Sequence, residues 1–183
     1  AGNFDFFARN FDFSNYKTHC DVGGSGGNLC VHIAKNNQHI QCLSFDLPPV
    51  APIASNNFNA MGLNERVKAV TGDFFKDDLP KADLITMCNV LHDWSEEDKK
   101  MLIQKAYKAL PEKGTLVVVE NIIDNNRSEN AFGLMMSLNM LIETDEGFDY
   151  SLSDFESWAN EAGFKKVSIM PLTGPASAII ATK

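Results

Sequence analysis

Short apolar runs alternate with longer amphipathic stretches along most of the chain. The runs predict strands at His19–Val22, Ile40–Phe45, Val67–Thr71, Leu84–Met87, Leu116–Glu120, Lys166–Met170 and Ala178–Thr182. Between them, helix-length segments fall at Asn28–Lys35, Ala51–Met61, Glu96–Leu110, Ala131–Ile142 and Ser153–Ala162. In Glu96–Leu110, Leu102, Ile103, Ala106 and Leu110 recur at helical spacing. Ser95 precedes them as an N-cap, Glu96, Glu97 and Asp98 suit the positive end of the helix dipole, and Pro111 and Gly114 close the segment. Ser153 is the expected cap of the last helix. Its Phe155, Trp158, Ala159 and Ala162 share a stripe, and Gly163 stops it. Such strand–helix alternation predicts an α/β fold, a doubly wound, mostly parallel sheet covered on both faces. The opening residues, with Phe4, Phe6, Phe7, Phe11 and Phe13, lie outside the alternation and are expected to pack on a part of the protein beyond this chain.

Length and charge narrow the picture. One domain over 1–183 accounts for 183 residues. A formal net charge of −8 leaves no basic stripe for a nucleic-acid backbone and disfavours anionic membranes. No apolar run reaches the ~20 residues of a bilayer span, and no basic-then-apolar opening marks a signal peptide, so a cytoplasmic protein is expected. Cys20, Cys30, Cys42 and Cys88 are scattered without a CxxC, each in an apolar context, and read as packed free thiols. His19, His32, His39 and His92 show no metal-ligand spacing, so no metal is expected.

The chemistry gathers at strand ends. Asp21 opens the loop Asp21-Val22-Gly23-Gly24-Ser25-Gly26-Gly27, Asp46 ends the second strand, and Asp73 follows the third. In a doubly wound sheet the ligand crevice lies outside the carboxyl ends of the strands, where these acids would converge. A glycine loop lets a ligand approach the backbone closely. The third glycine of a GxGxxG dinucleotide fingerprint is absent, however, which argues against a nicotinamide dehydrogenase. A carboxylate at the head of the loop suits a cationic ligand, and Asp46 suits ribose hydroxyls.

With Phe45-Asp46-Leu47-Pro48, Gly72-Asp73-Phe74-Phe75, Leu91-His92-Asp93-Trp94 and Ala109-Leu110-Pro111-Glu112-Lys113-Gly114 following in order, the whole chain resembles the S-adenosylmethionine-dependent O-methyltransferases of phenols and hydroxyindoles. Plant caffeate-type and animal hydroxyindole enzymes belong to this group, and Leu-His-Asp-Trp is its most specific element. The resemblance implies a class I methyltransferase sheet of seven strands with an antiparallel last strand. It implies that Asp21, Gly23, Gly24 and Gly26 wrap the methionine part of the cofactor, that Asp46 and Leu47 hold the ribose, and that Asp73 and Phe74 hold the adenine, with Cys88 alongside. His92 would be the general base, Glu120 would orient its imidazole, and Asp149 stands where the family carries a second orienting acid, commonly Glu. Met136, Asn139 and Met140 match positions near the small-molecule substrate, and Trp94 is read as a core anchor. Ser25 departs from the usual third loop glycine, and Asp149 is shorter than the usual acid. The family also carries an N-terminal helical domain that forms a homodimer. Nothing in this chain, which opens on Ala1 rather than Met, corresponds to that domain, so a longer protein is expected. A cofactor-binding protein without turnover is the rival reading.

Overall fold

The computed structural model describes residues 2–183. Seven strands form one sheet: β1 (Thr18–Val22), β2 (Gln41–Asp46), β3 (Val67–Thr71), β4 (Leu84–Cys88), β5 (Thr115–Glu120), β6 (Lys166–Pro171) and β7 (Ser177–Thr182). Their order is β3-β2-β1-β4-β5-β7-β6. The first five neighbours run parallel, while β7 is antiparallel to both β5 and β6. Every residue of β5 is buried, as expected of a strand with neighbours on both edges and helices on both faces. The edge strand β6 is mostly exposed and starts on Lys166, which discourages pairing with another chain.

The described residues form six α-helices, α1 (Gly2–Asn10), α2 (Asn28–Asn36), α3 (Ala51–Ala60), α4 (Glu96–Ala109), α5 (Ala131–Glu143) and α6 (Leu152–Ala162), of which α5 packs on the Leu91–Asp93 turn. One core joins Leu102 and Ile103 of α4 and Phe155 and Trp158 of α6 to Leu116 and Val118 of β5. The other joins Phe7, Leu29, Ile33 and Phe58 to Val117 and Val119. The alternation along β5 therefore divides its side chains between the two layers.

Two expectations change. The Phe-rich opening forms α1, and Phe7 and Phe13 are buried in this chain's own core. Their rings meet at 5.6 Å, edge to face, and so need no outside partner. The cap of α6 is Ser151, not Ser153. Its hydroxyl accepts from the Asp154 N–H while the Asp154 carboxylate accepts from the Ser151 N–H, a reciprocal pair.

Candidate active site

The parallel strands bring their carboxyl ends to one edge, and the order reverses between β1 and β4. Asp21, buried on β1, accepts a 2.6 Å hydrogen bond from Thr86 of β4. Burial pushes its carboxyl up to about 6, against the opposing influence of His19 and the Thr86 hydroxyl. Thr86 gives its one proton to Asp21, so its oxygen accepts from His19 Nε2–H at 2.8 Å. The other ring nitrogen, Nδ1, faces Cys30 Sγ at 3.9 Å. The donor atoms of His19, Cys30 and Cys42 all lie within 4.8 Å of one another. Three elements deliver this group, which is why residue spacing did not reveal it, and the cysteines are free, as expected. Its effect at the site is to anchor Asp21 through a hydrogen-bonded line running into the core.

Past Asp21 the chain turns sharply. Gly23 has φ +71°, and a Cβ there would stand 2.7 Å from Val90 Cγ2. Ser25 also holds a positive φ of 50°, and its N–H donates to Asp46 Oδ2 at 2.8 Å. Asp46 Oδ1 accepts from Leu47 N–H at 2.7 Å, so each oxygen keeps a lone pair for a ligand. Gly24 N–H and Gly23 N–H both reach the Phe45 carbonyl, and the Gly26 carbonyl accepts from Asn57. Asp73 accepts from Phe75 N–H, and Lys76 stands 2.9 Å from its second oxygen, which holds the carboxyl below its ordinary value. Phe74 lies edge to face with Phe75 and Trp94, with ring centroids 4.9 and 5.8 Å away. Lys105 of α4 donates to the carbonyls of Phe74, Phe75 and Asp77, tying the Asp73 loop down. Cys88 is half-buried at the end of β4.

His92 lies on a short 3-10 turn, Leu91–Asp93, entered through Asn89 at φ +52°. The imidazole is buried. Its Nδ1 is 3.4 Å from Asp149 Oδ1, and its Nε2 is 3.4 Å from Asp93 Oδ1. Burial works against its proton, but Asp149, Glu120 and Asp93 prevail and hold it above the ordinary histidine value. Glu120 is placed differently from expectation. Its Oε1 accepts the backbone N–H groups of Val90, Leu91 and His92 at 3.1, 2.8 and 3.2 Å, capping the turn instead of meeting the ring. The carboxylate at the ring nitrogen is that of Asp149. Burial raises the Glu120 carboxyl, opposed by nearby His92.

Five buried polar atoms here lack a hydrogen-bond partner among the described residues: His92 Nδ1, Trp94 Nε1, Glu120 Oε2, Asp149 Oδ2 and Tyr150 OH. Gly147 lets the loop bearing Asp149 come close, since a Cβ there would stand 2.6 Å from the His92 carbonyl oxygen. On α5, Met136 and Asn139 are half-buried and Met140 is buried, whereas Phe132, Met135, Leu138, Leu141 and Ile142 are exposed. Sequence reasoning gave no role to Thr86, Lys105, Asp93 or Gly147. Only Thr86 left a trace, as a polar residue inside an otherwise apolar strand.

Known proteins resemble this chain in sequence and fold. The chain is 33% identical over 172 residues to the tetracenomycin polyketide synthesis 8-O-methyl transferase TcmO of Streptomyces glaucescens, covering 94% of this chain and 51% of that protein. It is 35% identical over 173 residues to the acetylserotonin O-methyltransferase of Bos taurus, covering 94% and 50%. The crystal structure of human N-acetylserotonin methyltransferase in complex with SAM superimposes with a TM-score of 0.89 at 31% identity, over 100% of this chain and 51% of that one. The chain thus spans about half the length of the curated relatives it matches. Residues 5–165 match the O-methyltransferase domain family, to which this chain belongs.

Proposed function

We propose that residues 1–183 are a single domain of an enzyme that transfers a methyl group from S-adenosylmethionine to a hydroxyl of a small aromatic acceptor, with His92 as general base. One observation carries the reading. A buried imidazole, bracketed at 3.4 Å on both nitrogens by carboxylates, stands on the same sheet edge as Asp21 and Asp46. The residues fit the cofactor, because the Asp21 carboxylate is fixed by Thr86 and suits an ammonium, and both Asp46 oxygens retain lone pairs for ribose hydroxyls. Asp73 and Phe74 are the candidates for the adenine, with Leu47 and Cys88 beside the crevice. The cofactor supplies an electrophilic methyl on a sulfonium.

The chain's own residues handle the acceptor. His92 takes the hydroxyl proton, because a phenolate is a far better nucleophile than a phenol. Asp149, 3.4 Å from Nδ1, offsets the charge that forms on the ring, while Glu120 holds the turn in place. Met136 and Asn139, with Met140 behind them, form the wall beside the acceptor. The exposed apolar side of α5 is the face we assign to the N-terminal domain and dimer of the full-length protein. That protein is expected to be cytoplasmic.

The test is transfer of labelled methyl by the full-length protein to a panel of phenols and hydroxyindoles, alongside calorimetry with S-adenosylhomocysteine. Binding without transfer to any acceptor would favour the reading without turnover. A clean monomer in sedimentation would remove the dimer.

A further inference from the structure

We propose that Lys99 is a positioning residue for His92: its buried ammonium clamps the end of the catalytic turn and supplies the positive charge that balances the carboxylates around the imidazole. Lys99 lies in the first turn of α4, where a lysine ordinarily extends into water. Here it is 0% exposed. Its Nζ donates to the carbonyl of Trp94, the residue that ends the His92 turn. It also lies 3.6 Å from the centre of the Phe148 ring and 5.8 Å from that of Tyr150. These rings flank Asp149 in sequence, so one ammonium joins the turn to the loop that delivers the second carboxylate.

No carboxylate lies within ion-pair distance, 4.0 Å, of this ammonium among the described residues. Its charge therefore acts as a field. The charged groups facing it are Glu120 of β5, Asp149 of the 144–150 loop, Asp93 of the turn and Glu96 of its own helix. Three of these, Asp149, Glu120 and Asp93, also face His92. Burial pushes the ammonium down to about 8, which still leaves it charged at neutral pH. Keeping it there has a cost, because a buried cation without an ion pair is unfavourable. The benefit falls on the imidazole. Three carboxylates with no cation would hold a proton on His92 at the pH where a base must be free to take one.

The inference rests on His92 as the proton acceptor proposed above, but its test reads the ring alone. The full-length protein is labelled with 13C at histidine Cε1 and titrated by NMR, and the His92 signal is assigned by its loss in His92→Gln. Lys99→Gln keeps a polar donor on the side chain but carries no charge, and Lys99→Arg keeps the charge. The expected result is a His92 midpoint raised by about one pH unit in Lys99→Gln, a tenfold gain in proton affinity, and little moved in Lys99→Arg. A midpoint unchanged in Lys99→Gln overturns the proposal. So does loss of the fold in Lys99→Gln by circular dichroism, since the ammonium would then be a requirement of folding. Whether His92 is the base is decided separately, by turnover of its own variants.

Discussion

The two halves of the sheet edge treat their carboxylates differently. On the β1–β3 side each acid has partners: Asp21 in Thr86, Asp46 in two backbone N–H groups, and Asp73 in Phe75 N–H and Lys76. On the β4–β5 side one Glu120 oxygen takes three backbone N–H groups, but Glu120 Oε2, Asp149 Oδ2 and His92 Nδ1 are buried without hydrogen-bond partners among the described residues. The first half suits the binding role proposed for it, with its carboxylates already oriented by the chain. The second retains unspent hydrogen-bonding capacity at a titratable ring. Leaving buried polar atoms unpaired costs about 1–3 kcal/mol each, so such a cluster points to chemistry more than to stability.

That contrast can be broken in order of expected effect. His92→Gln should lose at least about a hundredfold in turnover while affinity for S-adenosylhomocysteine stays the same, because general-base help is typically worth about 10²–10⁴-fold. Near-normal turnover with a phenol at neutral pH would dissolve the distinction. Asp46→Ala should do the reverse, weakening cofactor binding by about 1.5–3 kcal/mol in calorimetry, as for hydrogen bonds to a charged group. An unchanged dissociation constant would remove Asp46 from the binding half. Asp149→Asn takes away a group that raises the His92 value, so the acid limb of the rate profile should move to lower pH as turnover falls. A limb that stays in place would separate Asp149 from the ring.

The smallest expected effect is one of pH. Asp21 is raised in the folded protein, so its proton favours the fold below the ordinary value of 3.8, and that contribution is lost as pH rises through about 6. A cationic ligand needs the ionised form. Affinity for S-adenosylhomocysteine should therefore fall by up to about tenfold per unit as pH drops below about 6, and Asp21→Asn should flatten that limb. A flat profile in the unaltered protein would mean that Asp21 does not meet the ligand's charge.

Strands were legible because their information is local: each apolar run stands within a residue or two of its observed strand. The first helix was legible in part. Phe4, Phe7, Ala8 and Phe11 fall at helical spacing, but no cap marks the start, and five phenylalanines in one short stretch drew attention to composition instead of period. The cap of α6 was ambiguous, because Ser151 with Asp154 and Ser153 with Glu156 both satisfy the capping spacing and only the turn geometry selects the first. Glu120's true contact was not legible at all. Capping three successive N–H groups depends on Asn89 entering the turn at positive φ, which no side-chain pattern announces. Lys99 was hidden for a related reason. In sequence it is one more charge on a charged helix start, and it becomes buried only when Phe148 and Tyr150 arrive from a distant loop.

The placement of β7 between β5 and β6 has a consequence for how the protein is made. As the polypeptide leaves the ribosome, β5 can pair with β4 at once, but its other side has no neighbour until residues 177–182 follow. Glu120, in register with Ser177, sits on that open edge. The carboxylate that caps the His92 turn thus gains its full backbone support only after residues 177–182 have been made. Until then, a nascent chain exposes an almost wholly apolar strand to any chaperone, or to any neighbouring nascent chain, that can pair with it.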